Sequence, residues 1–191
     1  MTAELALSLP GGCVLRPLEE ADTAELHGLI ECNRAQLARW MQWAQDQTPE
    51  QTLAFIRRAH MKAEENSGLQ RAIVAEQRIV GVAGFPTIDW PNLSADIGYW
   101  LDRAHQRRGV MTSAIAALVN HAFDGWHLNR LEIRTDVDNA PSRALAERLG
   151  FRYEGTLRQA YRVGDRYSDD AVYSLLAADR VRPGARLDES R

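Results

Sequence analysis

The residues whose types and spacing could do chemistry fall in two short stretches and a few aromatic positions. Residues 99–113, YWLDRAHQRRGVMTS, read as an apolar strand end, a basic loop with one glycine, and the start of a helix. The first N–H groups of a helix have no partner within it, and its dipole favours negative charge there. Gly109 allows a close backbone approach, so this loop is the expected seat of a phosphate-bearing cofactor. Arg103, Arg107 and Arg108 are either phosphate contacts or solvated loop charges. Residues 138–142, DNAPS, place Asn139 as a helix cap, Pro141 in the first turn and Ser142 at the helix start. Trp40 and Trp43 lie three apart and would share one face of a helix. They read equally as a core contact or as the wall of an acceptor pocket, to which Trp90 is a further candidate.

The elements that must hold these residues can be read in order. Residues 1–12 form a loose, flexible lead-in and 13–18, CVLRPL, a short strand ended by Pro17. A helix starts at 19–22 with Asp22 as its cap, and carries Leu26, Leu29 and Ile30 inward. Asn33 caps a second short helix with Leu37, Trp40 and Met41 on one side. Thr48-Pro49 opens a helix to about residue 65, with Leu53, Phe55, Ile56, Ala59 and Met61 apolar and Lys62, Glu64 and Glu65 solvated. Residues 70–75 and 79–85 form a hairpin, in which Gly81 and Gly84 imply a bulge or a close neighbouring backbone. Residues 94–101 are the next strand. A helix then runs from 108 or 109 to about 126, followed by a strand at 129–137. A helix at 139–149, with Ala144, Leu145 and Leu149 inward, ends at Gly150. Strands at 151–157 and 166–176 close the chain, and 180–191 is a frayed tail. This order predicts a single α/β (α+β) domain built on a mixed, mostly antiparallel sheet.

Composition narrows the functional classes. The 191 residues are 45% hydrophobic and 26% charged, with a net charge of −3, which gives no general electrostatic case for nucleic acid or an anionic membrane. Cys13 and Cys32 form neither a disulfide framework nor a metal spacing, and read as reduced thiols. No basic leader and no apolar run of about 18 residues is present, so the expectation is a cytoplasmic protein without a metal, nucleic-acid or membrane partner.

Three segments together resemble the GNAT superfamily of acetyl-CoA-dependent N-acetyltransferases: IGYWLDRAHQRRGVMTSAI, LNRLEIRTDVDNAPSRALAERLGFRYEGTLRQAY and YSDDAVYSLL. The chain is similar to the RimJ/RimL-type branch, which acetylates protein N-termini and some small amines. The resemblance covers residues 13–178, leaving 179–191 as a tail, and implies a central sheet splayed between two parallel strands. It implies that the loop Gln106-Arg107-Arg108-Gly109-Val110-Met111, with Thr112, binds the pyrophosphate of acetyl-CoA. Met111 stands where the family usually has Gly or Ala, so either its side chain points away from the pyrophosphate or the loop shifts. It implies further that Tyr99, Trp100 and Leu101 pair with the pantetheine arm and that Asn139 bonds the pantetheine amides. Ser142 would protonate the leaving thiolate. Asp169-Asp170 match an acidic position before the last strand and read as a turn or buried polar contact. LGF at 149–151 and EG at 154–155 shape turns and packing.

The expected reaction is direct attack of an amine in a ternary complex, with the oxyanion held by a backbone amide. Ribosomal-serine enzymes of the branch carry a glutamate where this chain has Tyr161, and a phenol is a poor base at neutral pH. Glu132, Asp136, Glu154 and His105 are the other ionisable candidates, beside deprotonation through water. The acceptor is read as a protein or peptide N-terminus of ribosomal-protein type. The alternatives are a small amine or aminoacyl nucleotide, a non-catalytic acyl-CoA-binding module, and a scaffold without a CoA site. A homodimer is expected by analogy with the branch.

Overall fold

The computed structural model describes residues 6–180. One eight-stranded sheet runs through it in the order β1-β2-β3-β4-β5-β6-β8-β7. The strands are β1 (Leu7–Ser8), β2 (Val14–Pro17), β3 (Leu69–Ala75), β4 (Arg78–Asp89), β5 (Ser94–Leu101), β6 (Arg130–Asp136), β7 (Arg152–Val163) and β8 (Arg166–Leu176). Every neighbouring pair is antiparallel except β5 and β6. This is the predicted mixed and mostly antiparallel sheet, with its one parallel pair in its interior. Part of the expected loose lead-in is β1, whose Leu7 pairs with Leu15. Of the expected tail, residues 181–191 lie outside the described residues.

The helices cover both faces. On one face lie α1 (Thr23–Leu37) and α2 (Pro49–Glu64), which bury Leu26, Ile30 and Ile56 with Ala72, Val82 and Trp100 of the sheet. On the other lie α3 (Val110–Asn120) and α4 (Ala140–Arg148), which bury Ile115, Leu118 and Leu145 against Ile73, Phe85 and Leu131. Successive strand residues point to opposite faces, so Tyr99 packs toward the α3 side and Trp100 toward the α1 side.

Several local readings hold for the expected reason. Thr48 caps α2 with a reciprocal capping box to Gln51, and Pro49 follows at the first helical position. Gly81 and Gly84 sit where a Cβ would overlap the carbonyl oxygens of Trp100 and Leu69. The flanking backbones can therefore close on β4 only at glycine.

Others are corrected. Asp22 stands at the N-cap position of α1, as read, but its side chain makes no capping bond there. Its carboxylate takes both Arg16 guanidinium nitrogens at 2.7 and 2.8 Å and the Glu19 amide at 2.8 Å. No second helix starts at Asn33, because α1 runs unbroken to Leu37 with Asn33 buried inside it. Trp40 and Trp43 therefore share no helical face; Trp43 belongs to a short 3-10 turn, Gln42–Ala44. In α2 the buried side is Thr52, Ile56, Ala59 and Ala63, while Met61 is exposed. Lys62 is not simply solvated, since its ammonium donates to the Pro86 carbonyl. In α4, Ala146 rather than Ala144 is buried beside Leu145. Helix α3 ends at Asn120 in a wider π turn, His121–Gly125.

Candidate functional site

The site begins where the sheet comes apart. Strands β5 and β6 pair only through Ser94–Arg130, Ala95–Leu131 and Asp96–Glu132. Beyond Asp96 the strands diverge, while β5 stays bonded to β4 through Tyr99, Trp100 and Leu101. The opposite backbone edge of β5 is left without a strand partner, as a slot that an extended amide-bearing chain can fill.

At the end of β5 the loop is built by named contacts. Asp102 accepts from Asn33 Nδ2 at 2.9 Å and pairs with His105 Nδ1 at 2.7 Å. The Arg103 amide donates to Asn33 Oδ1 at 3.0 Å. Asn33, read from sequence as a cap, is the buried clamp that fixes the loop to α1. Burial pushes the Asp102 carboxyl up, but Asn33, His105 and the Ala104 amide outweigh it and hold it below the usual aspartate range.

Gln106 Nε2 then reaches back to the Leu101 carbonyl at 3.3 Å. Arg107 and Gly109 take φ of 62° and 79°, the left-handed turns that bring the chain into α3. The first intrahelical donor of α3 is the Ser113 amide, to Gly109 O. The amides of Val110, Met111 and Thr112 thus point from the helix start without an intrahelical acceptor. Nothing lies within 4 Å of where a Gly109 Cβ would stand, so the surface above it is open. Met111 packs against the core, leaving its amide as the group presented at the loop. Arg103, Arg107 and Arg108 are exposed. These donors, charges and open surface fit a pyrophosphate.

Where β6 gives way to α4, Asn139 caps the helix, its Oδ1 accepting from the Ser142 amide at 3.3 Å. Ser142 Oγ lies 2.8 Å from the Tyr99 hydroxyl, across the parting of the sheet. Burial pushes the Tyr99 phenol up to about 12, against the lowering effect of that bond. Tyr99 therefore stays protonated, and the two hydroxyls form a pair able to pass a proton at the slot. From sequence Tyr99 was read for its backbone; its hydroxyl contact with a residue 43 positions away carries no sequence signal.

Tyr99 and Ser142 both line a cavity of about 690 Å³. Its wall includes Trp40, Met41, Trp43, Phe55 and Trp100, with the Trp43 and Trp100 rings 6.4 Å apart. Tyr161 of β7 lines the same space. Trp90 does not belong to it: its indole N–H donates to the Asn66 carbonyl and its ring packs edge-on to Trp126. The turn that carries it lies on the α3 face of the sheet.

The ionisable candidates separate in the same way. Glu132 is bound by Arg130 and Arg134, Glu154 by Arg130 and Ser174, and His105 by Asp102. Arg130 and Ser174 hold the Glu154 carboxyl down at about 2. Among these four only Asp136 lines the cavity. Asp169 and Asp170 form no turn; they sit inside β8, where Asp169 accepts from the Gln159 amide and Asp170 faces the cavity.

Comparison with known proteins agrees with this geometry. Residues 13–152 match the acetyltransferase (GNAT) domain. The chain is 34% identical over 163 residues to the ribosomal-protein-serine acetyltransferase of Escherichia coli strain K12, covering 85% of this chain and 91% of the relative. It superposes on RimL, the ribosomal L7/L12 alpha-N-protein acetyltransferase in complex with coenzyme A, at a TM-score of 0.86 and 28% identity, with 90% and 98% of the two chains covered. The microcin C7 self immunity acetyltransferase MccE in complex with acetyl-CoA and AMP is similar at a TM-score of 0.83 and 30% identity, with 86% and 92% covered. This chain belongs to the GNAT acetyltransferases of the RimL/RimJ type and is an acetyl-CoA-dependent N-acetyltransferase.

Proposed function

We propose that the protein acetylates an N-terminal amine of ribosomal-protein type. The observation that carries this reading is the cavity. The Tyr99–Ser142 pair and the aromatic side chains of Trp40, Trp43, Phe55 and Trp100 line it together. Its volume is in the range that takes several residues of a peptide end or a small molecule. The relatives named for ribosomal-protein acetylation support the same acceptor class.

The roles follow from placement. The edge of β5 at Tyr99, Trp100 and Leu101 holds the pantetheine arm, with Asn139 at its flank. The loop from Gln106 to Thr112 takes the pyrophosphate. Bound acetyl-CoA supplies the acetyl group as an activated thioester. Ser142 donates a proton to the departing sulfur, and the Tyr99 hydroxyl orients it and resupplies the proton. Tyr161 stands at the rim of the cavity and orients the acceptor.

A second reading is an amine attached to a planar ring system. The Trp40, Trp43 and Trp100 wall favours it, since such rings stack on planar groups, and MccE is a relative solved with AMP beside acetyl-CoA. Release of free thiol from acetyl-CoA separates the two. Peptides with free N-termini are expected to give at least a tenfold higher kcat/KM than aminoacyl nucleotides and aromatic amines. The reverse order would establish the second reading. Acetyl-CoA binding without turnover of any acceptor would leave a non-catalytic acyl-CoA-binding module.

A further inference from the structure

Two carboxylates meet at the cavity from neighbouring strands. Asp136 on β6 and Asp170 on β8 are directly opposed in the antiparallel register, and both line the cavity that Ser142 also lines. Residues so opposed stand about 5 Å apart at Cβ, where like charges repel.

The two are not equivalent. Asp136 is buried and fully engaged. It accepts from the Ser168 hydroxyl at 2.5 Å, the Asp138 amide at 2.8 Å and the Arg166 guanidinium at 3.1 Å. Burial pushes its carboxyl up, and these three donors outweigh the burial and keep it below the usual range, so it remains an anion. Asp170 is half-buried, and its carboxylate accepts no hydrogen bond from any described residue. Burial pushes its carboxyl up, the Asp136 charge pushes it further, and Arg134 partly offsets both.

The charged groups around Asp170 are Asp136 and Arg134 on β6 and Asp169 on its own strand. Its partner on β7 is Leu157, which cannot titrate. Arg58 of α2, Tyr99 of β5 and Tyr161 of β7 are the remaining ionisable groups on the cavity wall.

An amine acceptor arrives at neutral pH as an ammonium ion, and its nitrogen cannot attack until a proton leaves. A carboxylate without a hydrogen-bond partner, beside a second fixed anion in a cavity with an aromatic wall, draws an ammonium group by charge. We propose that Asp170 is the catalytic residue that binds the acceptor ammonium and takes its proton, with Asp136 as its positioning partner. In this step an N–H bond of the ammonium breaks and an O–H bond forms on the Asp170 carboxyl. The nitrogen keeps the electron pair and attacks the acetyl carbonyl, and Asp170 then returns the proton to water at the cavity mouth. The upward push on its carboxyl, from burial and the Asp136 charge, makes Asp170 a stronger base than an ordinary aspartate. The proposal rests on the acceptor being an amine, as argued above.

Asp170→Asn tests it, with acetyl-CoA as donor and N-terminal peptides and small amines as acceptors. At pH 7 its kcat/KM is expected to fall about a hundredfold, with the Kd for acetyl-CoA within twofold of wild type. The wild-type kcat should fall on acidification through one carboxyl group. That of Asp170→Asn should instead climb with pH toward the pKa of the acceptor amine itself, because a free amine needs no base. Thermal stability should be unchanged or raised, since the substitution removes repulsion with Asp136. Asp170→Glu, which keeps a carboxylate, should recover part of the activity. A loss that is the same at every pH, or that comes with weakened acetyl-CoA binding, would mark a structural role and overturn the proposal. An Asp170→Asn enzyme within threefold of wild type would overturn it alone. Wild-type protein that acetylates no amine would overturn the acceptor assignment and this proposal together.

Discussion

Ser142 shows what single residues contribute and how they are tested. Its hydroxyl meets the Tyr99 hydroxyl at 2.8 Å, and its amide is already committed to the Asn139 cap. Removing only the hydroxyl therefore removes a proton source without uncapping α4. Ser142→Ala should lower kcat about a hundredfold while the Kd for acetyl-CoA, measured by calorimetry, stays within twofold. Unchanged turnover would remove Ser142 from the chemistry. The same scale explains why Met111 is tolerated at the loop. A helix start presents amides, not side chains, to an anion, and Met111 turns its side chain into the core. Trp90 makes the opposite point. Its type suits a pocket wall, yet its indole N–H needs an acceptor and finds one at the Asn66 carbonyl, while its ring packs on the core shared with Trp126.

At the scale of elements, the parting of β5 from β6 is the feature that makes a site. It needs β4 and β5 to stay tightly paired on one side while β6 leaves on the other. On its other side β4 must pair closely with β3, and Gly84 is where that pairing depends on glycine, since a Cβ there would overlap the Leu69 carbonyl oxygen of β3. Gly84→Ala should cost about 3 kcal/mol or more in chemical denaturation, because the obstacle is backbone on a central strand and cannot swing aside. Close backbone approach at this glycine was legible in the sequence, as were the helix starts at Thr48 and Asn139. Such signals are local: a cap, a turn or a glycine acts on neighbours within a few residues. The length of α1 was not legible, because Asn33 has the chemistry of a cap. Only its distant partners, Asp102 and the Arg103 amide, reveal that it serves inside a helix.

At the scale of the whole molecule, charge pairs join distant parts of the sequence and set the response to acid. Asp22 ties the end of β2 to the start of α1 through Arg16. Burial pushes its carboxyl up, but Arg16 and the Glu19 amide prevail and leave it below its ordinary value. A carboxyl lowered in the folded state contributes stability above its unfolded pKa and loses it as pH falls through the folded one. Asp102 and Asp136 act in the same sense, whereas Asp96 and Asp170, pushed up, act in the other. The Tm should therefore fall as pH drops below about 4, where aspartates ordinarily titrate. Asp22→Asn should cost about 2 kcal/mol at pH 7 and flatten part of that fall, as calorimetry across pH would show. By itself the sequence determined most of the strands and helices, the turn at Gly109 into α3 and the Asn139–Ser142 helix start, because periodicity, caps and glycines are written in short stretches. Only the tertiary structure decided that Tyr99 meets Ser142, that Asp170 opposes Asp136 at the cavity, and that Trp90 lies elsewhere. Those relations depend on strand register and on which face each residue takes, and both are set by contacts between segments far apart in the chain.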